Sequence, residues 1–149
     1  MNKSLKIILG AIVLIVIVVF GSCIATYNGL ASGKEAISSE EANIEVQYKR
    51  RADLIPNLVE TVKGYSAHEQ EVIDKILAAR TALVNADSLN EKAEADSELK
   101  GAIDSLMVNV ENYPNLKADS TYLSLMDEIA GTENRIAVAR RDYNEKVKE

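Results

Sequence analysis

Residues Tyr48–Glu69 read YKRRADLIPNLVETVKGYSAHE, and their spacing decides the fold class. Apolar positions recur in steps of three and four through Ile55, Leu58, Val62, Tyr65, Glu69, Val72, Ile76, Ala79 and Leu83. That step marks one face of a helix, whereas a half-buried strand would alternate with period two. The row Tyr27, Leu30, Lys34, Ile37, Glu41, Ile44, Tyr48, Arg51 has the same step. Two more follow: Leu99, Ile103, Leu106, Val110, Tyr113, and Tyr122, Met126, Ile129, Glu133, Ile136, Arg140, Tyr143, Val147. A helix with one apolar stripe needs a partner to cover it. Short connections make neighbouring helices antiparallel. The expected fold is all-α, an antiparallel up-and-down bundle of three long or four shorter helices.

The boundaries carry mechanisms. Asp53 can cap a helix that has Pro56 in its first turns, where amides lack partners anyway. The alternative is one helix from the N-terminal segment to about residue 85, kinked at Pro56. Asn85-Ala86-Asp87-Ser88 predicts a turn, with Asp87 or Ser88 as the next cap. Asn112-Tyr113-Pro114-Asn115 ends the third helix, because the residue before proline avoids the α region. Asp119 or Ser120 opens the fourth. Gly131 within that helix suggests close helix packing.

The 149 residues suit one bundle plus an anchor. From Ile7 to Ala25 no residue is charged and most are aliphatic. About 20 such residues cross a bilayer core as a helix. The expected organisation is a basic leader at 1–6, a transmembrane helix at 7–25 and a bundle at 26–149. Lys3 and Lys6 precede the span, and the positive-inside rule puts the leader in the cytoplasm and the bundle outside. Removing those two lysines from 17 basic residues leaves 15 against 23 acidic ones, a net of −8. Such a body repels phosphates, which argues against nucleic acid as a partner. The bilayer is the expected partner, with protein partners unidentified and homo-oligomerisation open; Gly10 and Gly21 are too far apart for a Gly-xxx-Gly contact. Cys23, the single cysteine, excludes an intramolecular disulfide. Phe20-Gly21-Ser22-Cys23 also permits a lipoprotein reading, with cleavage and acylation at Cys23, although the apolar run is long for a signal peptide.

No phosphate loop, nucleophile elbow or metal-ligand spacing is present. His68-Glu69-Gln70-Glu71 lacks the second histidine of a zinc motif, so no metal or cofactor is expected. A site around His68 and Glu69 is the enzymatic alternative. Lys49, Arg50 and Arg51 either pair with Asp53 and neighbouring acids or face anionic lipid. Arg51, Glu69, Glu133 and Arg140 interrupt apolar stripes and are expected to pair across the core or to line a groove for a partner's peptide. Asn57, Asn109, Asn112, Asn134 and Asn144 are expected either at helix ends or hydrogen-bonding across the bundle, with a ligand site as the alternative. The tyrosines should lie at the core edge.

The run Tyr48–Glu69, the stretch ENYPNLKA at 111–118, and TENRIAVARR at 132–141 followed by Tyr143-Asn144 resemble the LemA family. The resemblance spans roughly Thr26 to the C-terminus in order and spacing. It implies a membrane-anchored bacterial helical bundle without a settled activity. Relatives usually carry more chain after the Tyr-Asn pair, so this chain is expected to be either truncated or naturally short there. The residues expected to contact a partner are Lys49, Arg50, Arg51, Asp53, Pro56, Asn57, Glu133, Asn134, Arg135 and Arg140. The expected role is non-enzymatic scaffolding at the cell envelope.

Overall fold

A computed structural model describes residues 3–65 and 69–148, with side chains from Leu9 onward. The four apolar rows become helices. α1 is Lys3–Lys63, α2 Gln70–Asn85, α3 Leu89–Val110, α4 the single turn Pro114–Lys117, and α5 Ser120–Lys148. α1 packs along α5 and α2 along α3, while α1 also meets α2 and α3. Each helix runs antiparallel to the next, and α5 returns along α1. The core of this four-helix bundle forms where the stripes meet. Ile55, Leu58 and Val62 of α1, Ile76 of α2, Leu99 and Leu106 of α3 and Ile129 of α5 are all buried. Burying each such side chain contributes about 1.5–3 kcal/mol.

The fate of the first row depends on whether a partner is present. Ile44, Tyr48 and Arg51 are buried, but Tyr27 and Leu30 stand exposed because no helix runs beside that part of α1. The apolar segment before them is likewise uncovered, and it is long and apolar enough to span a membrane. Cys23 lies exposed near the end of this segment.

Pro56 neither starts nor stops a helix. It sits inside α1, so Asp53 is an exposed mid-helix residue rather than a cap. Proline lacks the N–H that would reach the carbonyl four residues back. That carbonyl belongs to Ala52, and the Arg80 Nε–H of α2 donates to it at 2.8 Å. The continuous-helix alternative is corrected at its far end: α1 stops at Lys63, not near residue 85. Gly64, which has low helix propensity, forms the closing turn with Tyr65. Tyr65 and Glu69 therefore leave the row. The Tyr65 hydroxyl donates to Asp119 at 2.8 Å, and Glu69 accepts from the Tyr113 hydroxyl at 2.9 Å and from the Asn109 amide.

The other boundaries follow local chemistry. Ser88 caps α3 in a full capping box with Glu91. Pro114 occupies the first turn of α4. The Asp119 carboxylate accepts the Tyr122 N–H at the start of α5. The expected close packing at Gly131 is absent: a Cβ there would meet only the Arg135 side chain of its own helix. Among the five asparagines, Asn109 alone bonds across the bundle through its side chain; Asn57, Asn112, Asn134 and Asn144 are exposed, since their positions fall off the stripes.

Candidate functional site

α1 presents two unlike faces within the Tyr48–Glu69 run. Residues two apart on a helix point to different sides, so Arg51 and Asp53 cannot share a face. Arg51 turns inward and is 1% exposed, whereas Lys49, Arg50, Asp53, Pro56 and Asn57 look outward. Arg51 therefore does not pair with Asp53, and among the described residues no ion pair joins Asp53 to Lys49 or Arg50 either. Arg51 Nη1 donates to Asp96 Oδ1 of α3 at 2.9 Å, and Nη2 lies 3.8 Å from Glu133 Oε2 of α5. Glu133 also pairs with Lys100 of α3. Two cations and two carboxylates make this centre neutral. Burial pushes the Asp96 carboxyl above its ordinary value, and Arg51 opposes that rise. The Arg51 Nε–H has no partner, so the buried guanidinium is only partly satisfied.

Beside this centre, Tyr48 is 2% exposed and its hydroxyl has no hydrogen-bond partner. Burial raises the phenol's pKa, and the nearby Arg140 charge acts against that effect. Arg140 itself is exposed on α5. It lies against Tyr48 and also acts at longer range on Asp96 of the Arg51 centre. Asn134 and Arg135 line a shallow groove with Asn43, Gln47 and Val138. A separate groove between α1 and α2 is lined by Ala52, Leu83 and Val84 together with Glu45, Lys49, Asp53, Arg80 and Lys92. Lys92 pairs with Glu45 at 2.8 Å.

His68 lies outside the described residues. Among those described, no group of three or more His, Cys, Asp or Glu side chains is placed to hold a metal. Asp96, Lys100 and Arg80 were missed in the sequence. Two of them carried a signal: Asp96 lies three residues before Leu99, and Arg80 lies four after Ile76 and three before Leu83, so both extend apolar stripes.

Comparison with known proteins gives this geometry a family. The LemA family model matches residues 40–149, which is the whole bundle from the inner half of α1 to the end of α5. Protein LemA of Metamycoplasma hominis is 32% identical over 121 residues, covering 78% of this chain and 54% of that protein. Magnetosome protein MamQ 2 of Paramagnetospirillum magneticum is 27% identical over 158 residues, covering 89% of this chain and 58% of the relative. Magnetosome protein MamQ of Magnetospirillum gryphiswaldense is 26% identical over 144 residues, covering 79% and 53%. The chain spans just over half the length of these curated relatives. On the family match across its bundle, the chain belongs to the LemA family.

Proposed function

We propose that this chain is a non-enzymatic, single-pass scaffold of the bacterial cytoplasmic membrane, with its N-terminus inside and its bundle outside, which holds partner proteins near the bilayer. The observation that carries this reading is the continuity of α1. One helix runs from the apolar segment into the bundle core, so anchor and bundle share a rigid element. Partner contact is assigned to the outward face of α1. Lys49, Arg50, Asp53 and Asn57 are exposed there and form no ion pairs with described residues, so the bundle does not need them for packing. The neighbouring α1–α2 groove is lined by apolar as well as charged residues, which suits anchor residues of a docking helix. Glu69 is engaged by Asn109 and Tyr113, which favours a structural role for it over an acid–base one.

Photoreactive residues at Asp53 and Asn57, with a control at Glu98 on the exposed side of α3, test this in intact cells. The scaffold reading predicts one adduct mass shared by Asp53 and Asn57, absent at Glu98 and lost with Lys49→Glu/Arg50→Glu. Equal labelling from all three positions, or none from α1, would contradict it.

A further inference from the structure

We propose that the cavity between α1, the start of α3 and the last turns of α5 is a binding site for a carboxylate group. It holds about 80 Å³ and is lined by Ile44, Tyr48, Leu89, Asn90, Arg140, Tyr143 and Asn144. That space admits a small planar group or a few waters. Four of these residues carry polar donors: Arg140, Asn90, Asn144 and Tyr48. Tyr48 is the informative one. The buried Tyr48 hydroxyl makes no well-formed hydrogen bond: the Arg140 guanidinium approaches its oxygen, and its O–H still lacks an acceptor. An oxygen acceptor placed between them would satisfy both groups.

Charge selects the ligand. Arg51 is neutralised by Asp96 and Glu133, and Arg141 next door takes Asp142 and Glu145. Arg140 forms no ion pair with a described residue and meets Asp96 only at longer range, so its cation is left to face the cavity. A planar monoanion matches it in charge and forms the two-pronged contact that guanidinium favours; a phosphate dianion would bring one charge too many. A lipid headgroup is out of reach, because the roughly 20 residues between Ala25 and the cavity rise about 30 Å along α1. The carboxylate therefore belongs to a small free acid or to the C-terminus of a peptide.

The test uses the full chain in nanodiscs with ring-¹³C tyrosine, titrated with sodium acetate against sodium chloride and sodium phosphate at equal ionic strength. Acetate should shift the Tyr48 signal saturably, with a Kd of about a few millimolar, and chloride and phosphate should not. Arg140→Gln should weaken the response at least about tenfold, while Arg141→Gln should leave it unchanged. A short peptide with a free C-terminus outcompeting both acetate and its amidated form would assign the source to peptide; acetate alone competing would assign it to a free acid. No saturable shift up to about 100 mM, or a shift that survives Arg140→Gln, would overturn the site.

Discussion

Replacing Arg51 with methionine removes one partner from the buried centre and leaves Asp96, whose side chain is 13% exposed, without its hydrogen-bonded cation. Glu133 keeps Lys100, so the damage concentrates on Asp96. Breaking a buried pair from one side costs about 3–5 kcal/mol. At about 4 °C per kcal/mol for a bundle of this size, the melting temperature should fall by about 12–20 °C. Arg51→Met/Asp96→Leu should recover most of that loss. It removes both desolvation costs, including that of the unpartnered Arg51 Nε–H, and places apolar side chains against the core. Far-UV circular dichroism melts of wild type, single and double variants give the cycle directly. The sign with pH is also fixed. The folded Asp96 carboxyl titrates above its ordinary 3.8, and removing Arg51 takes away the stronger of the two cations that pull it down, leaving Arg140. Between 3.8 and the raised value the folded state binds more protons, so the single variant should gain stability as pH falls through that window and level off below it. A loss under about 1 kcal/mol for Arg51→Met, or a double variant no better than the single, would refute the reasoning.

Three further outcomes follow from particular contacts. Arg80→Leu should cost about 1.5–3 kcal/mol, because a charge-assisted bond to the Ala52 carbonyl is lost. In a Pro56→Ala background, where the residue 56 N–H can reach that carbonyl, denaturant titration should show a smaller loss. Ser88→Ala should cost about 1 kcal/mol in the same assay through loss of the α3 cap. The amides of Ser88 and Asp87 hold the Glu91 carboxyl below its ordinary 4.5; its contribution is present above that value and lost as pH falls through the lowered one, and Glu91→Gln should flatten this acid limb of the stability profile. Leu58→Ala, at a fully buried α1 position, should cost about 2–5 kcal/mol by calorimetry.

The helical class and its stripes were legible in the sequence because spacing of three and four is a local property. Ile55, Leu58, Val62, Ile103 and Ile129 all occupy the core their rows assign them. Ser88 and Asp119 were each legible as one of two candidates at their helix starts for the same reason. The end of α1 was harder, since the row continues in register through Tyr65 and Glu69. Their departure is set by tertiary partners, Asp119, Asn109 and Tyr113, which lie 40 or more residues away. Pro56 left a break and a continuous helix both open for a related reason: its cost in mid-helix is offset by Arg80, a side chain on another helix. At the candidate site, Arg51, Glu133 and Arg140 stood out as charges on apolar stripes. Which carboxylate each would meet depends on helix pairing, so Asp96 and the Tyr48–Arg140 neighbourhood emerged only from the packed bundle.

The central claim is that one unbroken helix carries the bundle at a fixed height above the membrane. Spin labels at Gly29→Cys and Glu60→Cys, with Cys23→Ser, measure it in nanodiscs by pulsed dipolar spectroscopy. The account predicts a single narrow distance near 46 Å, roughly 31 residues at 1.5 Å each; a broad distribution centred well below that would contradict it.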